Sequence, residues 1–185
     1  MKYFSKGKRG KIFLIKDIAI KKGLARHIKN EVKWLKLLNK YEIGPKLISY
    51  KNNYFKYKFV KGEFIFNYIK DNNESNIKKV LINILKQCRT LDKLKVNKME
   101  MHHPVKHIII NKKPVMIDFE RCYKTNKPKN VSQFCQFLIS NNLKGLLKNK
   151  KIKINKKDLI KLARIYKRAY KERDFRRVIK LINKA

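Results

Sequence analysis

The order of hydrophobic and polar residues makes the first third of the chain strand-rich. Residues 11–15 and 18–22 are short runs of β-branched and aromatic side chains, which predict two strands joined by a tight turn. Residues 24–40 repeat apolar side chains every three or four positions, and this period predicts a helix that ends before Gly44 and Pro45. Two further strands are predicted after that turn, at residues 46–50 and 54–60.

The rest of the chain has a mostly helical pattern. Residues 76–94 place apolar side chains on one face of a helix, after Asp and Asn residues that suit an N-cap. Two short apolar runs, 107–110 and 115–119, flank an Asn-Lys-Lys-Pro turn and predict strands. Further helices are predicted at residues 131–140, 156–171 and 175–183.

The expected fold class is therefore α+β. Residues 1–60 are expected to form a small β-rich domain and residues 61–185 a reduced helical one, with Lys61-Gly62-Glu63 as a connector. A length of 185 residues fits one domain or two joined lobes that share a ligand cleft. A hydrophobic content of 43% is enough for a core and excludes a disordered basic tail.

The charge balance is strongly basic. Fifty Lys and Arg residues stand against thirteen Asp and Glu residues, which gives a formal net charge of +37. Such a surface attracts polyanions, including RNA, DNA and nucleotides. Lysine enrichment also accompanies A/T-rich coding sequences and life at high temperature, so charge alone leaves a nucleic-acid partner open.

Cysteine spacing and the absence of long apolar runs indicate the compartment. Cys88, Cys122 and Cys135 lack CxxC spacing, which argues against a disulfide framework or zinc site and favours buried thiols. Lys16 and Asp17 interrupt the only apolar stretch near the start, so no signal peptide is predicted. No run approaches the ~18 apolar residues of a membrane span. We expect a cytoplasmic protein without a membrane partner.

The strongest chemical signal is a lysine and a glutamate ten residues apart. Side chains alternate along a strand, so Ala19 and Lys21 point to the same face. Glu31 falls within the apolar stripe of the following helix, where a desolvated carboxylate needs a nearby cation. We predict that Lys21 is this cation; the alternative is a Glu31 at the edge of the stripe that reaches water.

Two other segments suit phosphate and metal chemistry. Gly7 and Gly10 precede the predicted strand pair, and glycines let backbone amides approach phosphate oxygens. Asp118 follows the apolar run Val-Met-Ile and is well placed to ligate Mg²⁺ at a cleft. Taken singly, the first segment is often just a turn, and an acid after a strand is often structural.

In this order the segments resemble those of protein kinases. Residues 5–12 resemble the glycine-rich loop, Ile-Ala-Ile-Lys at 18–21 resembles the Val-Ala-Ile-Lys strand, and residues 118–120 resemble Asp-Phe-Gly with Glu120 replacing the glycine. Over residues 3–140 the chain is most similar to minimal atypical archaeal kinases: the RIO kinases, the kinase of the KEOPS tRNA-modification complex and small predicted serine/threonine kinases. The Ala-Pro-Glu motif and the long activation segment are absent.

The resemblance implies a two-lobed kinase-like fold that binds ATP and Mg²⁺. It implies that Lys21 holds the phosphates, that Glu31 orients Lys21 and that Asp118 binds the metal. The other residues that it places around the nucleotide are Gly7, Gly10, Ile12 and Ala19.

The catalytic loop departs from the kinase pattern. His107 stands at the position of the kinase Asn and is the second expected metal ligand. This alignment puts His102 at the position of the kinase catalytic Asp and Glu100 at the position of the usual His. Together with Lys21, both are therefore candidate catalytic residues. The histidines are also candidates for a transition-metal site, or for simple packing in an exposed loop.

We therefore expect an ATP- and Mg-dependent atypical serine/threonine protein kinase. Its protein substrate is unknown, and an RNA or tRNA-linked complex is a candidate partner. One alternative is a nucleotide-binding pseudokinase that acts as an interaction module. The other is a basic RNA-binding protein without enzymatic activity, although the sequence has no RNP, KH or zinc-finger pattern.

Overall fold

A computed structural model describes residues 1–7 and 9–185, and it confirms the α+β class. The described residues form two compact units. The first unit comprises Met1–Gly62 together with Val115–Cys122, and the second unit comprises Glu63–Pro114 together with Tyr123–Ala185.

The first unit is built on five antiparallel strands and one α-helix. These elements are β1 (Lys2–Gly7), β2 (Gly10–Ile15), β3 (Ile18–Gly23), α1 (Ala25–Leu38), β4 (Leu47–Lys51) and β5 (Tyr54–Lys58). The strand order across the sheet is β1-β2-β3-β5-β4. The predicted strands at 11–15, 18–22, 46–50 and 54–60 correspond to β2, β3, β4 and β5, whereas β1 was not predicted.

Helix α1 covers the sheet with its apolar stripe. It contacts β3, β4 and β5, and its buried residues recur every three or four positions, as expected for one helical face. They are Ile28, Glu31, Val32, Trp34, Leu35 and Leu38. The helix was predicted over residues 24–40, but its last turn tightens into a 3₁₀ helix at Asn39–Tyr41.

A glycine after α1 lies against the segment that carries Asp118. Gly44 has φ 84°, in the left-handed region. A Cβ at this position would lie 2.8 Å from Phe119 Cε2 and 2.9 Å from Leu35 Cδ2. Both of these side chains are buried, so neither can move away cheaply. Glycine is therefore required here both by backbone conformation and by packing.

The second unit is mainly helical. Its short strands pair antiparallel, β6 (Glu63–Phe64) with β8 (Ile108–Ile110) and β10 (Tyr123–Lys124) with β7 (Val96–Asn97). Strand β9 (Pro114–Met116) begins at Pro114, the last residue of the segment Glu63–Pro114, and its other two residues belong to the first unit. The helices are α2 (Ile65–Asp71), α3 (Glu74–Lys93), α4 (Asn130–Leu138), α5 (Asn141–Asn149), α6 (Lys156–Ala169) and α7 (Glu172–Lys184).

A buried carboxylate on α3 holds the start of α4. Asp92 Oδ1 accepts hydrogen bonds from the backbone N–H of Asn130 at 3.0 Å and from its side-chain amide at 2.7 Å. The Tyr166 hydroxyl of α6 donates to Asp92 Oδ2 at 2.9 Å. Burial raises the pKa of Asp92, although these hydrogen bonds oppose the shift. This contact satisfies backbone N–H groups that a helix N-terminus leaves without an intrahelical partner.

The differences from the sequence prediction have local causes. Helices α2 and α5 are short and were not predicted. The strand predicted at 115–119 ends at Met116, because Asp118 adopts φ 63° and so leaves the extended conformation. Across residues 1–7 and 9–185, no helix is long and apolar enough to cross a membrane. Cys88, Cys122 and Cys135 are all buried as free thiols.

We expect Gly44→Ala to lower the free energy of unfolding by about 2–4 kcal/mol, since left-handed strain adds to overpacking against Phe119 and Leu35. Gly145→Ala is the matched control. Gly145 lies within α5, and a Cβ there meets no heavy atom within 4 Å among the described residues. The control should be neutral or stabilising by about 0.5–1 kcal/mol. Urea unfolding followed by circular dichroism measures both, and equal stability of the two variants would contradict the packing argument.

Candidate functional site

The chemistry-bearing residues of the first unit converge on one lysine. Lys21 lies on β3, Glu31 on α1, and Asp118 and Glu120 in the segment after β9. Lys21 Nζ donates to Glu31 Oε2 at 2.7 Å and to Asp118 Oδ1 at 2.9 Å. Its distance to Glu120 Oε2 is 3.5 Å. The predicted ion pair between Lys21 and Glu31 is thus present, and the carboxylates of Asp118 and Glu120 join it. We refer to these four residues as the Lys21 cluster.

Helix α1 holds the segment after β9 through its polar side chains. Glu31 Oε1 accepts a hydrogen bond from the backbone N–H of Phe119 at 3.2 Å. The Asn30 side-chain amide donates to the backbone oxygens of Glu120 at 2.7 Å and Cys122 at 3.2 Å. Neighbouring residues of one helix therefore fix both the lysine and the backbone that carries Asp118.

The cluster keeps Lys21 charged. Burial by itself would lower the pKa of Lys21, but the charges of Glu31 and Asp118, with their hydrogen bonds, raise it above the ordinary value. Burial raises the pKa of Glu31, the charge of Asp118 adds to this, and Lys21 opposes both. Burial and the charge of Glu31 also raise the pKa of Tyr57, which pairs with Ala19 across β3 and β5. Lys21 is thus a fixed positive charge at any physiological pH.

Asp118 is the carboxylate that solvent reaches most easily. Its side chain is 36% exposed, against 5% for Glu31 and 8% for Glu120. Its left-handed backbone, with φ 63°, is uncommon for a residue other than glycine. Asp118 is therefore the carboxylate of this cluster most open to a ligand.

The three carboxylates fit a hard divalent cation. One oxygen each from Glu31, Asp118 and Glu120 lie within 4.8 Å of one another. Mg²⁺ prefers oxygen ligands and is usually held by one or two carboxylates together with waters and substrate phosphates. Glu31 already accepts from Lys21 and from the Phe119 backbone. All three carboxylates contact Lys21, so exposure decides between them: Asp118 suits Mg²⁺ best, and Glu120, two positions along the same segment, is the second candidate.

The predicted glycine-rich segment is the end of the β1–β2 hairpin. Gly7 pairs with Gly10, and Lys8, which belongs to the predicted loop, lies outside the described residues. A Cβ on Gly10 would lie 2.6 Å from the backbone oxygen of Lys22, so a larger residue at this position would clash with β3. Beside it, Arg9 Nη1 lies 3.3 Å from Glu120 Oε1.

The two remaining nucleotide-contact candidates lie in the sheet. Ile12 is half-buried and pairs with Lys21 across β2 and β3. Ala19 is fully buried. Their contact with a nucleotide stays a prediction.

The catalytic-loop candidates belong to the second unit. Glu100 Oε2 accepts from Lys98 Nζ at 3.0 Å, and the Lys98 side chain is fully buried. His102 is exposed, with Nδ1 3.0 Å from the backbone oxygen of Met99. His107 is half-buried and is not part of the carboxylate cluster, which lies wholly in the first unit. The catalytic roles of Glu100 and His102, and the metal role of His107, stay predictions.

The sequence does not predict the roles of three residues in or beside the cluster. In the kinase resemblance Glu120 is only a replacement for a glycine, although an acid two positions after Asp118 is itself a signal for a second carboxylate ligand. The sequence indicates for Arg9 only that it belongs to the glycine-rich segment. Asn30 carried no signal, because its partners are backbone oxygens about ninety residues away.

Comparison with known proteins adds no relative. A scan against known protein families gave no match for this chain, and a search of curated proteins gave no significant match. The chemistry of the Lys21 cluster therefore carries the functional argument.

Proposed function

We propose that the chain is an ATP- and Mg²⁺-dependent phosphotransferase of the atypical serine/threonine kinase type, with the two units as the lobes of a kinase-like arrangement. One observation carries this proposal. Lys21 bridges Glu31 and Asp118, which lie ten and 97 residues away along the chain. The kinase resemblance assigns the phosphates to Lys21, the orientation of Lys21 to Glu31 and the metal to Asp118.

The lysine has the properties that a phosphate-binding group needs. Lys21 is only 13% exposed, and its neighbours keep it protonated. An ammonium is a compact charge with three rotatable donors, so it can hold Glu31 and a phosphate oxygen together. In the proposed complex, phosphate oxygens accept from Nζ in place of Asp118, while Glu31 keeps its own hydrogen bond. Glu31 is then the positioning residue for Lys21.

The carboxylates complete the proposed site. Mg²⁺, if bound there, would supply positive charge that offsets the negative charge of the transferred phosphoryl group. Asp118 and Glu120 would hold it, since both present carboxylate oxygens within the cluster. Because Lys21 releases Asp118 when it binds phosphate, nucleotide and metal should bind cooperatively.

A pseudokinase is the second candidate function, and one contact favours it. Glu100, a candidate base, already has an ion-pair partner, because Lys98 Nζ lies 3.0 Å from its Oε2 and the Lys98 side chain is fully buried. Phosphoryl transfer through a loose transition state demands little early proton removal, so a weak base does not by itself abolish activity. Turnover separates the two candidates.

The first test is binding of ATP to the wild-type chain. We expect calorimetric titration to show ATP binding that is at least about tenfold tighter with Mg²⁺ than with EDTA, because the cluster carries three carboxylates that repel a metal-free triphosphate. Single-turnover assays with radiolabelled ATP then distinguish a kinase from a pseudokinase. No binding at millimolar nucleotide would exclude the whole proposal.

The predicted RNA or tRNA-linked partner is a separate question. The net charge of the chain does not show which surface would bind a nucleic acid. The Lys21 cluster itself is acidic rather than basic overall. A nucleic acid would have to bind elsewhere on the chain.

A further inference from the structure

The outer side of α1 carries a groove that the proposed phosphotransfer does not use. The groove has a volume of about 790 Å³ and runs between α1 and the turn after β4. Ile28 and Val32 are among its lining residues and are buried. Its cationic side chains are all exposed: Arg26, Lys29, Lys33, Lys36 and Lys51. We refer to this feature as the α1 groove.

The cations form an ordered row. Arg26, Lys29, Lys33 and Lys36 are spaced three, four and three residues apart, so they share one stripe of the helix. At 1.5 Å per residue this stripe is about 15 Å long. No acidic side chain occurs among the described residues that line the groove. Glu31, the one acidic residue of α1, is buried, with its carboxylate on Lys21.

One aromatic ring lies beside the row. Tyr50, on β4, is 50% exposed and lines the groove. Lys36 Nζ lies 4.0 Å from the centroid of this ring and donates to its hydroxyl at 2.5 Å. The lysine thereby orients the ring and leaves half of its surface to solvent. Exposed aromatic rings next to cationic grooves are the usual platforms on which bases of a single strand stack.

We propose that the α1 groove binds a single strand of nucleic acid, with its phosphates on the cationic row and a base on Tyr50. A strand with one charge per ~3.4 Å places about four phosphates along this stripe. A peptide with one phosphate would neutralise one or two of the cations and leave the others to repel one another. The half-exposed Tyr50 ring can stack on an unpaired base, whereas the bases of a duplex are stacked on one another, so the groove suits a single strand.

Salt dependence of binding is the first test. Fluorescence anisotropy of labelled single-stranded RNA and DNA oligonucleotides, with the full chain, measures affinity from about 50 to about 200 mM KCl. With three to five contacts at about −0.7 each, we expect a logarithmic slope of about −2 to −3.5. Binding of either sugar type supports the proposal, and comparison of the two identifies the preferred strand. A flat salt response overturns it, as does tighter binding of duplex or of a phosphopeptide.

The groove variant combines Arg26→Gln, Lys29→Gln and Lys33→Gln. Glutamine is a good helix former, and all three side chains are exposed, so the fold should persist. Loss of three contacts predicts about 100-fold weaker binding near 0.1 M salt and a slope shallower by about 2. The matched control, Lys144→Gln with Lys148→Gln and Lys161→Gln, removes the same charge from exposed positions of α5 and α6. An equal loss of affinity in the two variants overturns the proposal, because binding would then depend on the total charge and not on the α1 groove.

A crosslinking experiment provides a readout that needs no variant. Oligonucleotides that contain 4-thiouridine are crosslinked to the wild-type chain by light, and the modified peptides are identified by mass spectrometry. We expect crosslinks at Tyr50 or its neighbours Lys51 and Asn52, which also line the groove. Crosslinks confined to the second unit would overturn the proposal. Neither result depends on ATP binding, so the outcome is distinct from that of the phosphotransferase test.

Discussion

Asp118→Asn is expected to abolish ATP turnover, with a loss of about 10³-fold or more, because it removes the most accessible carboxylate of the proposed metal site. Asparagine is nearly the same size and adopts the left-handed backbone more readily than most residues, so the φ of 63° should be retained. Its amide oxygen can still accept from Lys21. The substitution therefore changes charge while it preserves the fold. Single-turnover assays with radiolabelled ATP, in Mg²⁺ and in Mn²⁺, measure the loss.

Asp17→Asn is the matched control, since Asp17 lies exposed in the turn between β2 and β3 and should keep full activity. Glu100→Gln and His102→Ala should each leave measurable activity, with Glu100 the more damaging loss, because early proton removal contributes little. If Asp118→Asn is as active as the wild type, the metal assignment is wrong. If the wild type is inert with every metal and acceptor tested, the pseudokinase proposal replaces the kinase.

Lys21→Met is expected to lower both stability and ATP affinity. Glu31 is 5% exposed, and without Lys21 its charge would be buried with only the Phe119 N–H as a described hydrogen-bond partner. Breaking a buried ion pair by removal of one partner costs about 3–5 kcal/mol. The lost charge–phosphate contact should weaken Mg·ATP binding ten- to 100-fold, or by about 1.5–3 kcal/mol. Urea unfolding followed by the fluorescence of the buried Trp34, together with calorimetric titration, separates the two effects.

The pH dependence of this variant has a defined sign. Burial already raises the pKa of Glu31 in the wild type, and loss of Lys21 removes the group that lowers it. A carboxyl with a raised folded-state pKa favours the folded state while it is protonated, and this stabilisation is lost as pH rises through that pKa. The deficit of Lys21→Met relative to wild type should therefore be smallest near pH ~4 and largest at neutral pH.

Two further variants test the origin of the loss. Lys22→Met changes the neighbouring exposed lysine of β3 and should have little effect on the free energy of unfolding or on ATP affinity. Lys21→Met combined with Glu31→Gln removes the buried charge, so it should recover much of the stability but none of the ATP affinity. Failure of the double variant to recover stability would show that the ion pair is not the cause.

Local patterns were sufficient for most elements of the first unit. The runs at 18–22 and 54–60 predicted β3 and β5, since β-branched and aromatic residues between turns favour strands irrespective of their partners. The period of residues 24–40 predicted α1 and placed Glu31 on its buried side. Because a buried carboxylate requires a cation nearby, the same pattern predicted the ion pair with Lys21.

Short elements escaped prediction because they depend on their neighbours. Strand β1 is mostly exposed and has its two aromatic residues side by side, so it carries no alternating hydrophobic period and forms by pairing with β2. Helix α2 has seven residues, too few to establish a period or to be stable alone. The end of β9 was misplaced because Asp118 turns the chain into the left-handed region, which no periodicity encodes.

The sequence by itself thus predicted the α+β class from local spacing and the Lys21–Glu31 pair from the cost of a buried charge, and its composition determined the net positive charge. Tertiary structure decided that the segment Val115–Cys122 packs with the first unit, and only then did Asp118 and Glu120 reach Lys21. It also decided that Tyr50 lies beside the cationic row of α1. Such meetings join residues far apart along the chain, and packing of the sheet against α1, rather than any local pattern, brings them together.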